Sequence, residues 1–415
     1  MNSIKSNFSR NIAYLVVFLL LFKPLHAQNA FTVYNTTNSS IPDNSVNALE
    51  LGPDGRLWVG TDYGLSVFDG SNWTTYQAGS SGLPANSVRS IAVDDTGSVW
   101  VGTFGGGLSM FDGANWQTWS TSNSVLPGDH VRCLEADKAG GMWIGTTSGL
   151  ARLRAGAMDA WDFLAMGSES NNVASIAVLD TELVWLGMVN GGLIYLSDTG
   201  FVDYTINNSG LTDNTIVGLA LENDDPWMAT PANGITFFWN LAFISYHPIN
   251  SNNPSYSFSS IAREPSGKIW AGSIDKGLVY YDRQDWRYFS TLNSAIPQDY
   301  LRCVVVDDVA GTVWAGTLSA GLVKVDRQLA LDVGQMGGSK SLAVYPNPCE
   351  GEMHIQLTGA KEVAFTLRDL QGRKLLEGMA RTGESVHSLN GISPGLYTLD
   401  YAGLEGARSQ KLLVR

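Results

Sequence analysis

The sequence predicts an all-β protein: a seven-bladed β-propeller closed by its N-terminal strand, followed by a small C-terminal Ig-like β-sandwich. Two observations predict the propeller. A tryptophan motif recurs seven times at a nearly constant spacing, and a short aromatic segment follows six of the seven copies. A third observation predicts the second domain, because the repeat ends near residue 330 and short alternating strands between Pro and Gly turns follow it.

Each copy of the tryptophan motif marks one blade. The copies read LWVGT, VWVGT, MWIGT, VWLGM, PWMAT, IWAGS and VWAGT, around Trp58, Trp100, Trp143, Trp185, Trp227, Trp270 and Trp314. Their spacing is 42 to 44 residues, and one four-stranded blade needs roughly 40 to 45 residues. We therefore number the blades one to seven in this order.

The fourth strand of each blade is expected to be aromatic. Six such segments are WTTY, WQTW, WDFL, FVDY, FISY and WRYF, which begin at residues 73, 116, 161, 201, 243 and 286. The seventh motif has none, whereas FTVY at residues 31–34 stands alone ahead of the first repeat. We predict that FTVY completes the last blade against the strand around Leu322 to Val325, which makes residues 28–330 one closed propeller.

The start of the chain predicts export. Residues 1–27 have the order of a secretory signal peptide, since Lys5 and Arg10 precede the apolar run IAYLVVFLLLF, which is too short to span a bilayer. We expect cleavage after Ala27 and no transmembrane segment in the mature chain. The net charge of −13 makes nucleic acid an unexpected partner, because phosphate backbones would be repelled. Three cysteines are too few for a disulfide framework.

The second repeat carries a family resemblance. Residues 83–108 read LPANSVRSIAVDDTGSVWVGTFGGGL, a pattern that resembles the two-component regulator propeller repeat of extracellular sensor regions in bacterial hybrid histidine kinases. The resemblance implies a propeller that recognises polysaccharide fragments. The fourth unit reads LGM after its Trp, and the fifth and sixth units have drifted most from the pattern. No kinase follows, so signalling within one polypeptide is not implied.

The last part of the chain resembles a different family. After LDVGQMGGSK, the predicted linker at residues 331–340, the segments VYPNP, DLQGR, SPGLY and KLLVR resemble the C-terminal sorting domain of the type IX secretion system. The resemblance implies that residues 341–415 engage the secretion machinery and that the protein reaches the medium or the outer-membrane surface. The strand pattern alone leaves a generic Ig-like adhesive module as the alternative.

No motif for catalysis is present. The sequence has no metal-spaced His or Cys cluster, no Walker loop and no nucleophile elbow, so we predict no catalytic residue, metal or cofactor. A binding site is predicted from geometry instead, since the loops before the first strand and between the second and third strands surround one mouth of the channel. The predicted ligand-binding residues in and beside these loops are Asn44, Asp62, Tyr63, Asn86, Arg89, Phe104, Asp129, His130, Arg132, Asn171, Asn190, Asn214, Asn233, Tyr256, Asp275, Lys276, Asp299 and Arg302.

Three arginines distinguish one side of this mouth. Arg89, Arg132 and Arg302 occupy one aligned position in blades two, three and seven. Amides, carboxylates and aromatic rings around a concave mouth suit a sugar, and arginines suit one that carries carboxylates or sulfates. The structural alternative is that the Asn and Asp residues cap turns and that the arginines pair with Asp129 and Asp299.

The expected function is therefore the binding of an extracellular polysaccharide or oligosaccharide by a secreted or cell-surface propeller. Two other classes stay open. One is a polysaccharide lyase or glycosidase that uses His130, between Asp129 and Arg132, as its acid or base. The other is a scaffold that binds proteins at the cell surface. An enzyme is not the expected class.

Overall fold

A computed structural model describes residues 30–137, 139–333, 342–403 and 406–415. The predicted signal peptide, residues 1–27, and residues 334–340 of the predicted linker lie outside these ranges. The described chain is almost entirely β-structure, with one short helix, α1 (Arg327–Val333). No helix in the described part of the chain has the length and apolar character needed to span a membrane.

Seven four-stranded antiparallel sheets form the blades of a propeller. In blades one to six the strands follow one another in the sheet in chain order. Blades one to three consist of β2 (Val46–Leu51), β3 (Leu57–Thr61), β4 (Gly64–Phe68) and β5 (Trp73–Tyr76); β6 (Val88–Val93), β7 (Val99–Thr103), β8 (Gly107–Phe111) and β9 (Trp116–Trp119); and β10 (Val131–Ala136), β11 (Met142–Thr146), β12 (Gly149–Arg154) and β13 (Ala157–Trp161). Blades four to six consist of β14 (Val173–Val178), β15 (Val184–Met188), β16 (Leu193–Ser197) and β17 (Gly200–Tyr204); β18 (Gly218–Glu222), β19 (Asp225–Ala229), β20 (Ile235–Trp239) and β21 (Ala242–Tyr246); and β22 (Phe258–Arg263), β23 (Ile269–Ser273), β24 (Leu278–Tyr281) and β25 (Trp286–Phe289).

Blade seven combines both ends of the propeller. Its strands are β26 (Leu301–Asp307), β27 (Thr312–Thr317), β28 (Leu322–Asp326) and, as the outermost strand, β1 (Phe31–Tyr34). Strand β1 runs antiparallel to β28, with Phe31 opposite Val325 and Tyr34 opposite Leu322. The closure predicted from FTVY is therefore confirmed.

The closing strand also contacts the blades on both sides of blade seven. The Phe31 ring lies 5.8 Å from that of Phe289 in blade six. The Tyr34 ring lies 5.5 Å from Phe68 and 5.7 Å from Trp73, both in blade one. Strand β1 thus adds packing as well as hydrogen bonds, and its contacts join blades six, seven and one.

One predicted outer strand lies elsewhere. The fourth strand of blade three is β13, so the prediction of WDFL at residues 161–164 was wrong. The cause is the hairpin before it, where Ala155 and Gly156 both have positive φ, 49° and 82°. Two consecutive positive φ values are typical of a tight type I′ turn. The strand therefore begins at Ala157 and ends, rather than starts, at Trp161.

The motif tryptophans form the core between blades. Six of the seven are buried, and Trp100 is partly buried. Trp227 shows the packing: its ring stacks on Phe237 of its own blade at 4.5 Å and lies 6.2 Å from the ring of Tyr281 in blade six. Because each tryptophan removes a large apolar surface from water, this column is expected to contribute much of the stability of the ring.

A column of small residues lines the central channel. Its members are Ala48, Ser90, Cys133, Ser175, Gly218, Ser260 and Cys303. Small side chains fit where the innermost strands approach the axis, and some of them also donate hydrogen bonds to the next blade. The Cys133 thiol donates to Val173 O and the Cys303 thiol to Val46 O, each at 3.7 Å. Burial raises the pKa of both thiols to about 12, so they remain protonated donors.

The C-terminal part is a separate five-stranded β-structure. Its strands are β29 (Leu342–Glu350), β30 (Glu352–Arg368), β31 (Lys374–Ser388), β32 (Gly395–Gly403) and β33 (Gly406–Val414). The first half of β30 pairs with β29 and its second half with β32, while β33 pairs with both β32 and β29. These pairings form a closed cycle around buried residues such as Met353, Phe365 and Leu412. The predicted all-β fold class is confirmed.

Candidate functional site

The connections between strands give the propeller two distinct faces. One, which we call the loop face, carries the connections into each innermost strand and those between the second and third strands, such as residues 77–87 and 104–106 in blade two. The other, the turn face, carries the remaining turns, such as residues 94–98 and 112–115. All the predicted ligand-binding residues lie on or beside the loop face.

The mouth on the loop face opens into a small cavity. Its volume is about 240 Å³, and the small-residue column forms its wall. Arg132, Ala174 and Val217 lie at the same aligned position and also line it. Among the described residues, Arg132 forms no salt bridge, and its side chain is exposed. A free cation therefore borders the cavity in blade three, whereas blades four and five present small apolar side chains.

One set of predicted residues caps the loops that precede the innermost strands. Each accepts a hydrogen bond at 2.7 to 2.9 Å from a backbone N–H seven or eight residues earlier. The set is Asn44, Asn86, Asp129, Asn171, Asn214 and Asp299. These oxygens hold the loops in shape, as the structural alternative expected. Their contact with a ligand stays a prediction.

Asp62 organises the arginine side of the mouth. It accepts hydrogen bonds from Ser45 at 2.7 Å and Asn47 at 3.1 Å, and it forms a 3.0 Å salt bridge with Arg89. Arg302 lies 3.9 Å from the carboxylate and donates to Asn47. Burial acts to raise the pKa of Asp62, but the two hydrogen bonds and the two arginine charges outweigh it and lower the pKa. The carboxylate therefore stays ionised and holds both arginines.

The arginines thus have a different partner from the one expected. Asp129 and Asp299 are occupied by their own loops, and neither pairs with an arginine in the part of the chain that the structure describes. Sequence reasoning also missed Ser45 and Ser87, which both donate to Asp62, Ser87 at 3.2 Å. Both serines stand in the triplet NSV of blades one and two, and that repetition was the available signal.

An exposed aromatic shelf lies beside this network. The rings of Phe104 and His130 stack with centroids 4.0 Å apart and planes 21° apart. The Phe104 backbone N–H donates to Ser87 O at 2.8 Å, which holds the loop, and the Arg89 guanidinium lies 5.5 Å from the Phe104 ring. Phe104 is nevertheless 53% exposed, and Tyr63 in the matching loop of blade one is 60% exposed.

The other predicted residues lie on the opposite side of the ring. Asn190 accepts from Thr215, Asn233 donates to Asp213, and Asp275 accepts from Ser255. Tyr256 stacks on His247 with centroids 5.5 Å apart. Lys276 lies beside Asp275 in the same loop. The structure therefore groups Asp62, Arg89, Phe104, His130 and Arg302 on one side, and it does not bring blades four to six into that group.

Two glutamates deeper in the ring escaped prediction. Glu50 and Glu135 lie two residues beyond Ala48 and Cys133 on the same strand face, so they continue down the channel. Water reaches both side chains, yet the surrounding protein removes most of their hydration. Burial raises the pKa of Glu135 to about 7, and burial together with the Glu135 charge raises the pKa of Glu50 to about 8. No metal-binding group of three or more His, Cys, Asp or Glu occurs among the described residues.

These carboxyls predict a loss of stability as the pH rises. The pKa of Glu50 is raised from 4.5 to about 8 on folding, so the folded chain holds a proton that the unfolded chain has lost. Stability contributed by protonation is complete below pH 4.5 and disappears as the pH approaches 8. We expect Glu50→Gln to raise the melting temperature by about 2 to 4 °C at pH 9 but not at pH 4.

The control for this test is Glu169→Gln, which removes an exposed carboxylate from a loop. Its melting temperature should follow that of the parent at both pH values. If Glu50→Gln changes the melting temperature equally at pH 4 and pH 9, the channel carboxyl is not titrating as described.

Several solved structures share this architecture. The extracellular domain of BT3049 from B. thetaiotaomicron matches with a TM-score of 0.63 and 21% identity, over 93% of this chain and 57% of that one. PorZ, a surface component of the type-IX secretion system of Porphyromonas gingivalis, matches with a TM-score of 0.57 and 16% identity, over 92% and 60%. Virginiamycin B lyase from Staphylococcus aureus matches with a TM-score of 0.58 and 13% identity, over 71% and 98%.

At these identities the likeness shows the fold alone. The chain spans less than two thirds of the length of the BT3049 extracellular domain and of the solved PorZ chain. No curated protein is detectably similar to it in sequence.

Two family matches agree with the predicted organisation. Residues 40–63, 82–105 and 125–148 match the two component regulator propeller, and residues 343–415 match the secretion system C-terminal sorting domain. The sorting domain indicates type IX export to the cell surface or the outside of the cell. The chain therefore carries two component regulator propeller repeats, in a seven-bladed ring, followed by a type IX C-terminal sorting domain.

Proposed function

We propose that the protein is an exported propeller that binds an extracellular polysaccharide or oligosaccharide at the mouth on its loop face. The aromatic shelf of Phe104 and His130 beside the Asp62 network carries this proposal. A flat exposed ring can pack against the C–H face of a pyranose, while neighbouring charged and amide groups bond to its hydroxyls. The sorting domain supports it, because export brings the mouth into contact with glycans outside the cell.

The network is suited to binding because it is already ordered. Asp62 fixes Arg89, and Arg89 lies against the Phe104 ring. A ligand that meets side chains already held in place loses less of its binding free energy to ordering them. The partly exposed atoms of Arg89 and Arg302, with 34% and 25% of their side chains accessible, can still donate to a ligand.

Arg132, which forms no salt bridge among the described residues, suggests an acidic glycan. Arg132 borders the cavity and is exposed, and guanidinium groups bind carboxylates and sulfates through paired hydrogen bonds. We therefore propose a ligand with uronic-acid or sulfated residues.

An enzymatic role is the less supported candidate. His130 would need an oriented partner to act as an acid or base. The adjacent Asp129 instead binds the backbone and hydroxyl of Thr121, and within the described ranges no carboxylate bonds to His130. We propose that the protein is not an enzyme. If the parent degrades a polysaccharide and His130→Ala does not, the enzymatic role would replace binding as the favoured function.

A glycan array tests the proposal on the mature chain. We expect binding to a restricted set of glycans, and we expect Phe104→Ala to weaken it at least about tenfold by removing the stacking surface. The matched control is Tyr288→Ala, since Tyr288 is 41% exposed but lies on β25, the outermost strand of blade six. Equal binding by both variants, or a parent that binds no glycan, would contradict the proposed site.

A further inference from the structure

The last strand of the sorting domain lies between two cores. In β33, Leu412 and Val414 pack into the core of the sorting domain, whereas Leu413 belongs to a cluster of buried residues from blades five and six. The alternation of side chains along a strand explains this division. Leu413 is only 1% exposed. Its cross-strand neighbour Leu396 packs against the same propeller cluster.

The C-terminal residue adds polar contacts. The Arg415 guanidinium lies 5.7 Å from the centre of the Trp239 ring and 3.9 Å from the Glu222 carboxylate. Glu222 is 8% exposed and also accepts from Trp227 at 2.8 Å and from Arg283. Because the Glu222 carboxylate is nearly buried, salt screens its attraction to Arg415 less than it would screen a pair of exposed groups.

These contacts lie on the turn face of the propeller. Glu222 ends β18 at the first turn of blade five, and Trp239 ends β20 at the second. The candidate glycan site lies on the loop face, so the two surfaces do not overlap. The glycan site therefore does not account for the contact between the sorting domain and the propeller.

We propose that Leu396, Leu413 and Arg415 form a latch against Trp239 and Glu222, and that this latch masks one side of the sorting strand in the folded protein. Strand β33 belongs to the segment that matches the sorting domain, residues 343–415. The secretion machinery must then compete with blades five and six for that side of the strand. Opening the latch breaks the contacts that two leucines and one arginine make among the described residues, and it leaves the sheets of both domains paired.

Hydrogen exchange on the full mature chain tests the latch from both sides. Trp239→Ser removes the propeller surface, and Arg415→Ala removes the C-terminal side chain. We expect each to accelerate amide exchange in residues 239–246 and 409–414 about tenfold, while blades one to three keep the exchange of the parent. The matched control is Leu241→Ser, because Leu241 is in the same turn as Trp239 and is 78% exposed. Unchanged exchange at both segments in the two latch variants would overturn the latch.

Export kinetics test the masking. Trp239→Ser leaves the sorting domain intact, so a pulse-labelled chain with this change should reach the cell surface at least about twice as fast as the parent. Leu241→Ser should be exported at the rate of the parent. Equal export rates for Trp239→Ser and the parent, in a variant whose exchange shows an open latch, would overturn the masking of the sorting strand.

Discussion

Removal of residues 30–36 is expected to cause aggregation or to lower the free energy of unfolding by about 4 kcal/mol or more. The deletion removes β1, so β28 becomes the outermost strand of blade seven and keeps only its pairing with β27. It also removes the ring contacts that Phe31 makes with Phe289 and that Tyr34 makes with Phe68. Both effects act at the one place where the ring is closed, so the loss is larger than for one core residue.

Size-exclusion chromatography and denaturant unfolding measure this result. Thr32→Ala is the matched control, because Thr32 is exposed and its replacement keeps the pairing of β1 with β28. A shortened chain that stays monomeric and melts within about 2 °C of the parent would show that β1 does not close the ring.

Truncation after Val333 is expected to abolish export beyond the periplasm. The truncated chain keeps all seven blades, since β1 and β28 both precede the cut. It lacks residues 343–415, which match the sorting domain. Fractionation of cells should find the folded propeller in the periplasm and the full chain at the surface or in the medium. Delivery of the truncated chain at the level of the full chain would show that the sorting information lies elsewhere.

The fold was largely predictable because the motifs that indicate it recur along the whole propeller. Seven tryptophan motifs at one period fix the number of blades, and a missing seventh aromatic segment identifies FTVY at residues 31–34 as its replacement. The outer strand of blade three was not predictable in the same way. Its position depends on the positive φ values of Ala155 and Gly156, and Ala gives no sign of that conformation in the sequence.

The positions of the arginines around the mouth were predictable from the sequence, but their salt-bridge partner was not. Aligned repeats placed Arg89 and Arg302 at one mouth, and the structure has them there. Their common partner is Asp62, which reaches from blade one to blades two and seven. A pairing across blade boundaries depends on the reach of side chains and on the radius of the ring, which repeat alignment does not contain. Asp299 lies only three residues before Arg302, and Asp129 only three before Arg132, but each of these carboxylates folds back on its own loop.

Titration of a uronic-acid oligosaccharide tests the central claim most directly, namely that the mouth on the loop face binds an extracellular acidic glycan. Arg132→Gln should raise the dissociation constant more than tenfold, which is a loss of over about 1.4 kcal/mol in binding free energy. Its melting temperature should match the parent, because Arg132 forms no salt bridge among the described residues.

The control is Arg56→Gln, which changes an exposed arginine on the turn face. Arg56→Gln should bind the oligosaccharide as tightly as the parent does. Rising salt should lower the affinity of the parent more than that of Arg132→Gln. The account predicts this loss of affinity at unchanged stability. Equal affinity of the parent and Arg132→Gln at every salt concentration would contradict it.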